Sequence, residues 1–139
     1  MKKLLAVLVC GVALTACSNE IPMSNTWQVT NVYTSPDVPS QVPVPAYLVF
    51  GDSTVTGSTG CSEIQGRVSF TPDAAQPTHA SFRDMNFRDA SCEGSQRFFH
   101  DQMVALLGGE LEVKKEKDEM LLTKTDGLDR PGIRLVAAN

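Results

Sequence analysis

The chain has 139 residues, 42% of them hydrophobic and 20% charged, with a formal net charge of −4. That length suits one domain with a real core and argues against a multidomain enzyme. An acidic balance without a basic stripe argues against nucleic acid as a partner, because phosphate neutralisation needs clustered Lys and Arg.

The first feature along the chain is an address. Lys2 and Lys3 precede an apolar run from Leu4 to Leu14, which leads into Leu14-Thr15-Ala16-Cys17. A charged head, a short hydrophobic stretch and a small-residue site are the parts of a secretory signal. The cysteine directly after the small residues makes it resemble a bacterial lipoprotein signal. That resemblance implies cleavage between Ala16 and Cys17, a diacylglyceryl group on the Cys17 thiol and acylation of the new amino terminus. The expected organisation is a signal peptide over residues 1–16, a lipidated tether over 17–25 and a folded domain over 26–139. The expected location is the cell envelope: the periplasmic face of the outer membrane in a diderm, or otherwise the outer face of the cell membrane. An uncleaved membrane anchor is the alternative.

Short strands separated by turn chemistry follow. Thr26 to Tyr33 is the first strand, with Trp27, Val29 and Asn31 on one face and Val32 out of phase. Ser35 to Pro45 carries Pro36, Pro39, Pro43 and Pro45, so it cannot donate a continuous ladder and is expected as a loop or an edge. Ala46 to Phe50 and Ser53 to Gly57 flank Gly51-Asp52 as a hairpin. Gln65 to Phe70 is a further strand, followed by a loop over 72–78. Ala80 to Arg88 alternates, but its register is ambiguous.

One segment reads as a helix. From Glu93 to Leu107 the apolar residues Phe98, Phe99, Met103, Leu106 and Leu107 recur at helical spacing. Ser91 is the expected N-cap, and Gly108-Gly109 is a stop. Strands over Glu110–Lys117, Met120–Lys124 and Gly132–Ala137 finish the chain, the last two separated by the turn signal Thr125-Asp126-Gly127. The fold class expected from this order is mainly β (α+β): a compact antiparallel, partly closed β-barrel-like sheet with one helix near residues 93–107.

Four cysteines have separate fates. By the lipoprotein-signal resemblance Cys10 would leave with the signal and Cys17 would carry the lipid, which leaves Cys61 and Cys92 in the folded domain. Two buried thiols behaving as small hydrophobes are one reading. A disulfide is the reading that an oxidising compartment favours.

Val55 to Gly66 (VTGSTGCSEIQG) resembles the glycine-cysteine signature of the META/HslJ domain family, G-x-x-G-C-N-x-x-x-G after an apolar strand. Gly57, Gly60, Cys61 and Gly66 fit the pattern, and Ser62 replaces its Asn. Ala90-Ser91-Cys92 before Phe98-Phe99 matches the family's cysteine ahead of a helix, and Trp27 matches its early tryptophan strand. Leu111-Glu112-Val113 and Leu121-Leu122 match its closing strands loosely, so the resemblance spans roughly Thr26 to Val136. It implies a small barrel-like fold with one helix, found in envelope lipoproteins, some linked to heat-shock response or novobiocin tolerance. It carries no established catalytic residue. Ser62 is expected to brace its turn with a shorter reach than Asn.

The remaining residues offer little chemistry. His100 beside Asp101 is the one pair from which a hydrolase could be assembled, and a solvent-facing helical histidine is the plainer reading. No His/Cys/Asp/Glu cluster has metal-ligand spacing, so no metal or other cofactor is expected. Trp27, Tyr47, Phe50, Phe98 and Phe99 are expected to build the core, with a ligand cavity lined by them as the alternative. The expected function is that of a non-enzymatic, lipid-anchored envelope protein acting by binding, in stress or antibiotic tolerance or in envelope maintenance. Its partners would be the membrane, through Cys17, and an envelope protein or small apolar ligand. An inhibitor of an envelope-directed hydrolase such as lysozyme is the alternative within the binding class.

Overall fold

A computed structural model describes residues 25–35 and 38–138. The signal, Ala16, Cys17 and all of the expected tether before Asn25 lie outside the described residues.

Among the described residues the chain forms nine strands and one helix: β1 (Thr26–Ser35), β2 (Val38–Gln41), β3 (Tyr47–Phe50), β4 (Thr54–Ser58), β5 (Glu63–Thr71), β6 (His79–Phe87), α1 (Gly94–Leu106), β7 (Glu110–Glu116), β8 (Glu119–Thr123) and β9 (Gly132–Ala137). Every pairing is antiparallel. Strands β3 to β9 pair in chain order, and β1 joins β3 on one side and β9 on the other. The sheet therefore closes into an eight-stranded barrel, further than the partial closure expected from the sequence. Closure removes the sheet edges that would otherwise stand unpaired.

Strand β2 is the appendage. It pairs only with the second half of β1, through Asn31↔Gln41, Val32↔Ser40 and Tyr33↔Pro39. The proline-rich segment is thus an edge, the position where a residue without an N–H is tolerated.

Alternation fills the barrel. Trp27, Val29, Leu48, Phe50, Val55, Ile64, Val68, Ala80, Phe82, Leu111, Val113, Met120, Leu122, Ile133 and Leu135 are all buried. In β1 the strict two-residue period fails after Val29, because the register against β9 shifts between Val29 and Asn31. This bulge carries one extra residue and turns Val32 inward, so Val32 is buried in the place expected for Asn31. A second shift lies in β5 between Gln65 and Arg67, opposite β6, where Asp84 has φ +52°. It resolves the ambiguous register of β6: Ala80 and Phe82 point inward before the irregularity, and Met85 and Phe87 pack against the core after it.

Helix α1 supplies the rest of the core through Phe99, Met103, Leu106 and the adjoining Leu107, all buried. Two assignments change. The N-cap is Glu93, not Ser91, and it makes no side-chain capping bond. Phe98 is 52% exposed and Tyr47 41% exposed, so neither belongs to the core. Phe98 lies off the stripe through Phe99, Met103 and Leu106, and Tyr47 is at an outward position of β3. Among the described residues no helix is long and apolar enough to cross a membrane.

Candidate functional site

Gly60 and Cys61 fall in one corner, the turn Thr59–Ser62 between β4 and β5, with Gly57 and Gly66 on the strands that flank it. Gly57 in β4 is opposite Leu48 of β3, and a Cβ there would come within 2.1 Å of the Tyr47 carbonyl oxygen. Only glycine allows the two backbones to approach so closely. Gly60 has φ +87°, a left-handed conformation that the turn requires and other residues resist. Gly66 faces Met85 across the β5 irregularity, where a side chain would meet the Met85 sulfur.

Thr59 organises the corner. It is fully buried, and its Oγ1 accepts the N–H of Cys61 at 3.1 Å and of Ser62 at 3.0 Å. Its own N–H donates to the Ser62 carbonyl at 2.9 Å. The same hydroxyl lies 2.8 Å from Nδ1 of His100 on α1. Because two N–H groups already occupy its acceptor positions, the hydroxyl donates. Of its two acceptors, His100 Nδ1 at 2.8 Å is nearer than the Ser62 carbonyl at 3.4 Å, which assigns the imidazole proton to Nε2. The hydroxyl thus joins a barrel turn to the helix through buried hydrogen bonds, which are costly to leave half-made.

His100 is therefore buried, at 6% exposure, and not solvent-facing. Its ring meets Phe87 edge-on at 6.4 Å between centroids. Asp101 turns the other way and pairs with Arg97 at 3.1 Å on the exposed face. The structure does not bring His100 and Asp101 together as an acid-base pair, and Thr59 is sealed from any substrate. A helical wheel carries the signal that would have found His100, which stands three residues before Met103 and seven before Leu107.

Cys61 and Cys92 form a disulfide across the same corner, with Cα atoms 5.7 Å apart. It fastens the segment ahead of α1 to the β4–β5 turn, so the helix is held covalently at the bridge and by the Thr59–His100 bond further along. Ser62 does not brace the turn as expected. Its Oγ is buried without a hydrogen-bond partner, and Thr59 does the work instead. Trp27 Nε1, on β1, is the other buried side-chain N or O atom without a partner among the described residues. Among the described residues no three His, Cys, Asp or Glu side chains gather where a metal ion could be held.

A second feature lies on the outside of the barrel. Gly132 of β9 stands between Thr123 of β8 and Tyr33 of β1. Beside it opens a notch of about 340 Å³, lined by Tyr33, Lys114, Leu121, Thr123, Arg130 and Gly132. A shallower groove of about 230 Å³ adjoins it, along Glu116, Glu119 and Arg134. No signature in the sequence marks either.

The META domain family model matches residues 20–130. No curated protein matches the chain significantly. An NMR structure of a protein from Burkholderia xenovorans is similar in fold, with a TM-score of 0.65 at 14% identity, over 84% of this chain and 83% of that one. A second NMR structure has a TM-score of 0.58 at 13% identity, over 86% of this chain and 95% of that one. At such identity the likeness is one of fold.

Proposed function

Since the chain belongs to the META domain family, we propose that it is a lipid-anchored envelope protein whose META domain acts by binding, in stress or antibiotic tolerance or in envelope maintenance. The observation that carries this reading is Cys17 directly after Leu14-Thr15-Ala16, behind two lysines and an apolar run. The Cys61–Cys92 bridge supports it independently, because structural disulfides persist in oxidising compartments outside the cytosol. Fully extended, residues 17–25 reach about 30 Å, so a lipid on Cys17 would keep the barrel close to the membrane surface.

The test is replacement of Cys17 by Ser in the native host, followed by detergent phase partitioning and mass measurement. The unmodified protein should enter the detergent phase with its first sixteen residues removed and a lipid mass on Cys17. The variant should stay aqueous. An aqueous, unlipidated wild-type protein would overturn the anchor.

A further inference from the structure

The geometry assigns the Gly132 notch as a binding site for a small organic anion, a carboxylate carried on a compact apolar body. The inference deepens the reading of the domain as a binding module and is independent of the lipid anchor.

The notch is a product of strand register. On the outer face, Glu112, Thr123, Gly132 and Tyr33 form one row across β7, β8, β9 and β1. Lys114, Leu121, Arg134 and Asn31 form the next. Gly132 is the one position in these two rows without a side chain, and it borders the notch. A Cβ there would lie 2.7 Å from the Leu122 carbonyl oxygen, so the close approach of β8 and β9 holds glycine at this wall.

Its walls divide by chemistry. Leu121 and the Tyr33 ring, both half-buried, give an apolar floor, and the hydroxyls of Thr123 and Tyr33 offer hydrogen bonds. Lys114 stands on one side and Arg130 on the other, both exposed. Neither has an ion pair among the described residues, whereas Arg134 next door is paired with Glu119. Glu112 flanks the notch across from Thr123, and the adjoining groove, which shares Tyr33, Lys114 and Leu121 with it, carries Glu116 and the Arg134-paired Glu119; no carboxylate lines the notch itself. In a chain of net charge −4, two unpaired cations over an apolar floor attract one kind of small ligand. Its anionic group meets Lys114 and Arg130 by charge-assisted hydrogen bonds, and its body displaces water from Leu121 and Tyr33. At the ~30 Å³ that a water molecule occupies, the notch holds roughly a dozen non-hydrogen atoms, the size of one ring bearing a carboxylate. Apolar walls with a few convergent polar groups are the general pattern of small-molecule sites.

The experiment is an amide-resolved NMR titration of the folded domain with millimolar phenylacetate, phenylethanol and acetate as separate probes. Phenylacetate should shift the amides of Tyr33, Leu121, Thr123, Gly132 and Ile133 saturably. Phenylethanol, lacking the charge, and acetate, lacking the ring, should bind at least about tenfold more weakly. The double variant Lys114→Gln/Arg130→Gln changes only exposed side chains and should keep the spectrum elsewhere while weakening phenylacetate about tenfold. Lys114→Arg should retain binding. No saturable shift at these amides, equal binding of phenylethanol, or an unchanged affinity in the double variant would overturn the site. Failure here would leave the Cys17 partitioning result standing, and failure of that result would leave the notch standing.

Discussion

The β4–β5 corner and the Gly132 notch both depend on glycine, for opposite ends. At the corner, Gly57 lets backbone pack against backbone and Gly60 takes a left-handed turn beneath the Val44 side chain, and the space is consumed. At the notch, Gly132 also meets backbone, at the Leu122 carbonyl, but it borders a cavity that stays open to the outside. The corner is closed, covalently bridged and organised around buried hydrogen bonds, whereas the notch is open, charged and half-apolar. The more recognisable motif thus marks the scaffold. The residues positioned to meet a ligand come from four strands and a loop, and no sequence spacing joins them.

This contrast predicts large stability effects and no binding effect at the corner. Replacing both Cys61 and Cys92 by Ala should cost the most. Opening the loop closed by residues 31 apart removes about 3–4 kcal/mol in the chain-entropy model, and the midpoint of denaturant unfolding should fall accordingly. A bridge-free protein of unchanged stability would mean that the corner holds the helix without it.

Thr59→Val comes next. It keeps the shape but leaves the Cys61 and Ser62 N–H groups and His100 Nδ1 without their shared partner. At about 1–3 kcal/mol for a buried group left unpaired, and with partial relaxation of the turn, the loss should be about 2–3 kcal/mol. Equilibrium unfolding in urea measures it. A cost comparable to that of a surface substitution would show that Thr59 does not organise the corner.

Ser62→Ala is the smallest and has the opposite sign. The Ser62 hydroxyl is buried with no partner, so its removal should be neutral or stabilise by up to about 1 kcal/mol. A clear destabilisation would reveal a partner for that hydroxyl, such as a bound water.

How legible these regions are in the sequence follows from what each rests on. The strands, the helix and its glycine stop depend on period and turn chemistry, and they are found where the residues predict them. The β1 bulge was not legible: Val32 reads as out of phase until the β9 partner shows that one extra residue turns it inward. On the helix, adjacent Phe98 and Phe99 draw the expected apolar stripe too far round and leave His100 outside it. The helical wheel places His100 beside Met103 and Leu107, but its hydrogen-bond partner Thr59 is 41 residues away, and no local pattern carries that contact. The motif points to Ser62 as the brace, while Thr59 three residues earlier performs it, because a motif names the turn without saying which side chain faces inward. The notch was least legible of all. Tyr33, Lys114, Leu121 and Gly132 meet only after the barrel closes β9 against β1.

The most direct measurement is the phenylacetate dissociation constant of the Thr59→Val domain beside that of the unmodified domain, at a temperature where both are folded. Independent sites more than a few contacts apart contribute additively, so the two constants should agree within about twofold even though the variant is markedly less stable. A roughly tenfold weaker affinity in the folded variant, about 1.4 kcal/mol of coupling, would contradict the division and make the buried corner part of the binding machinery.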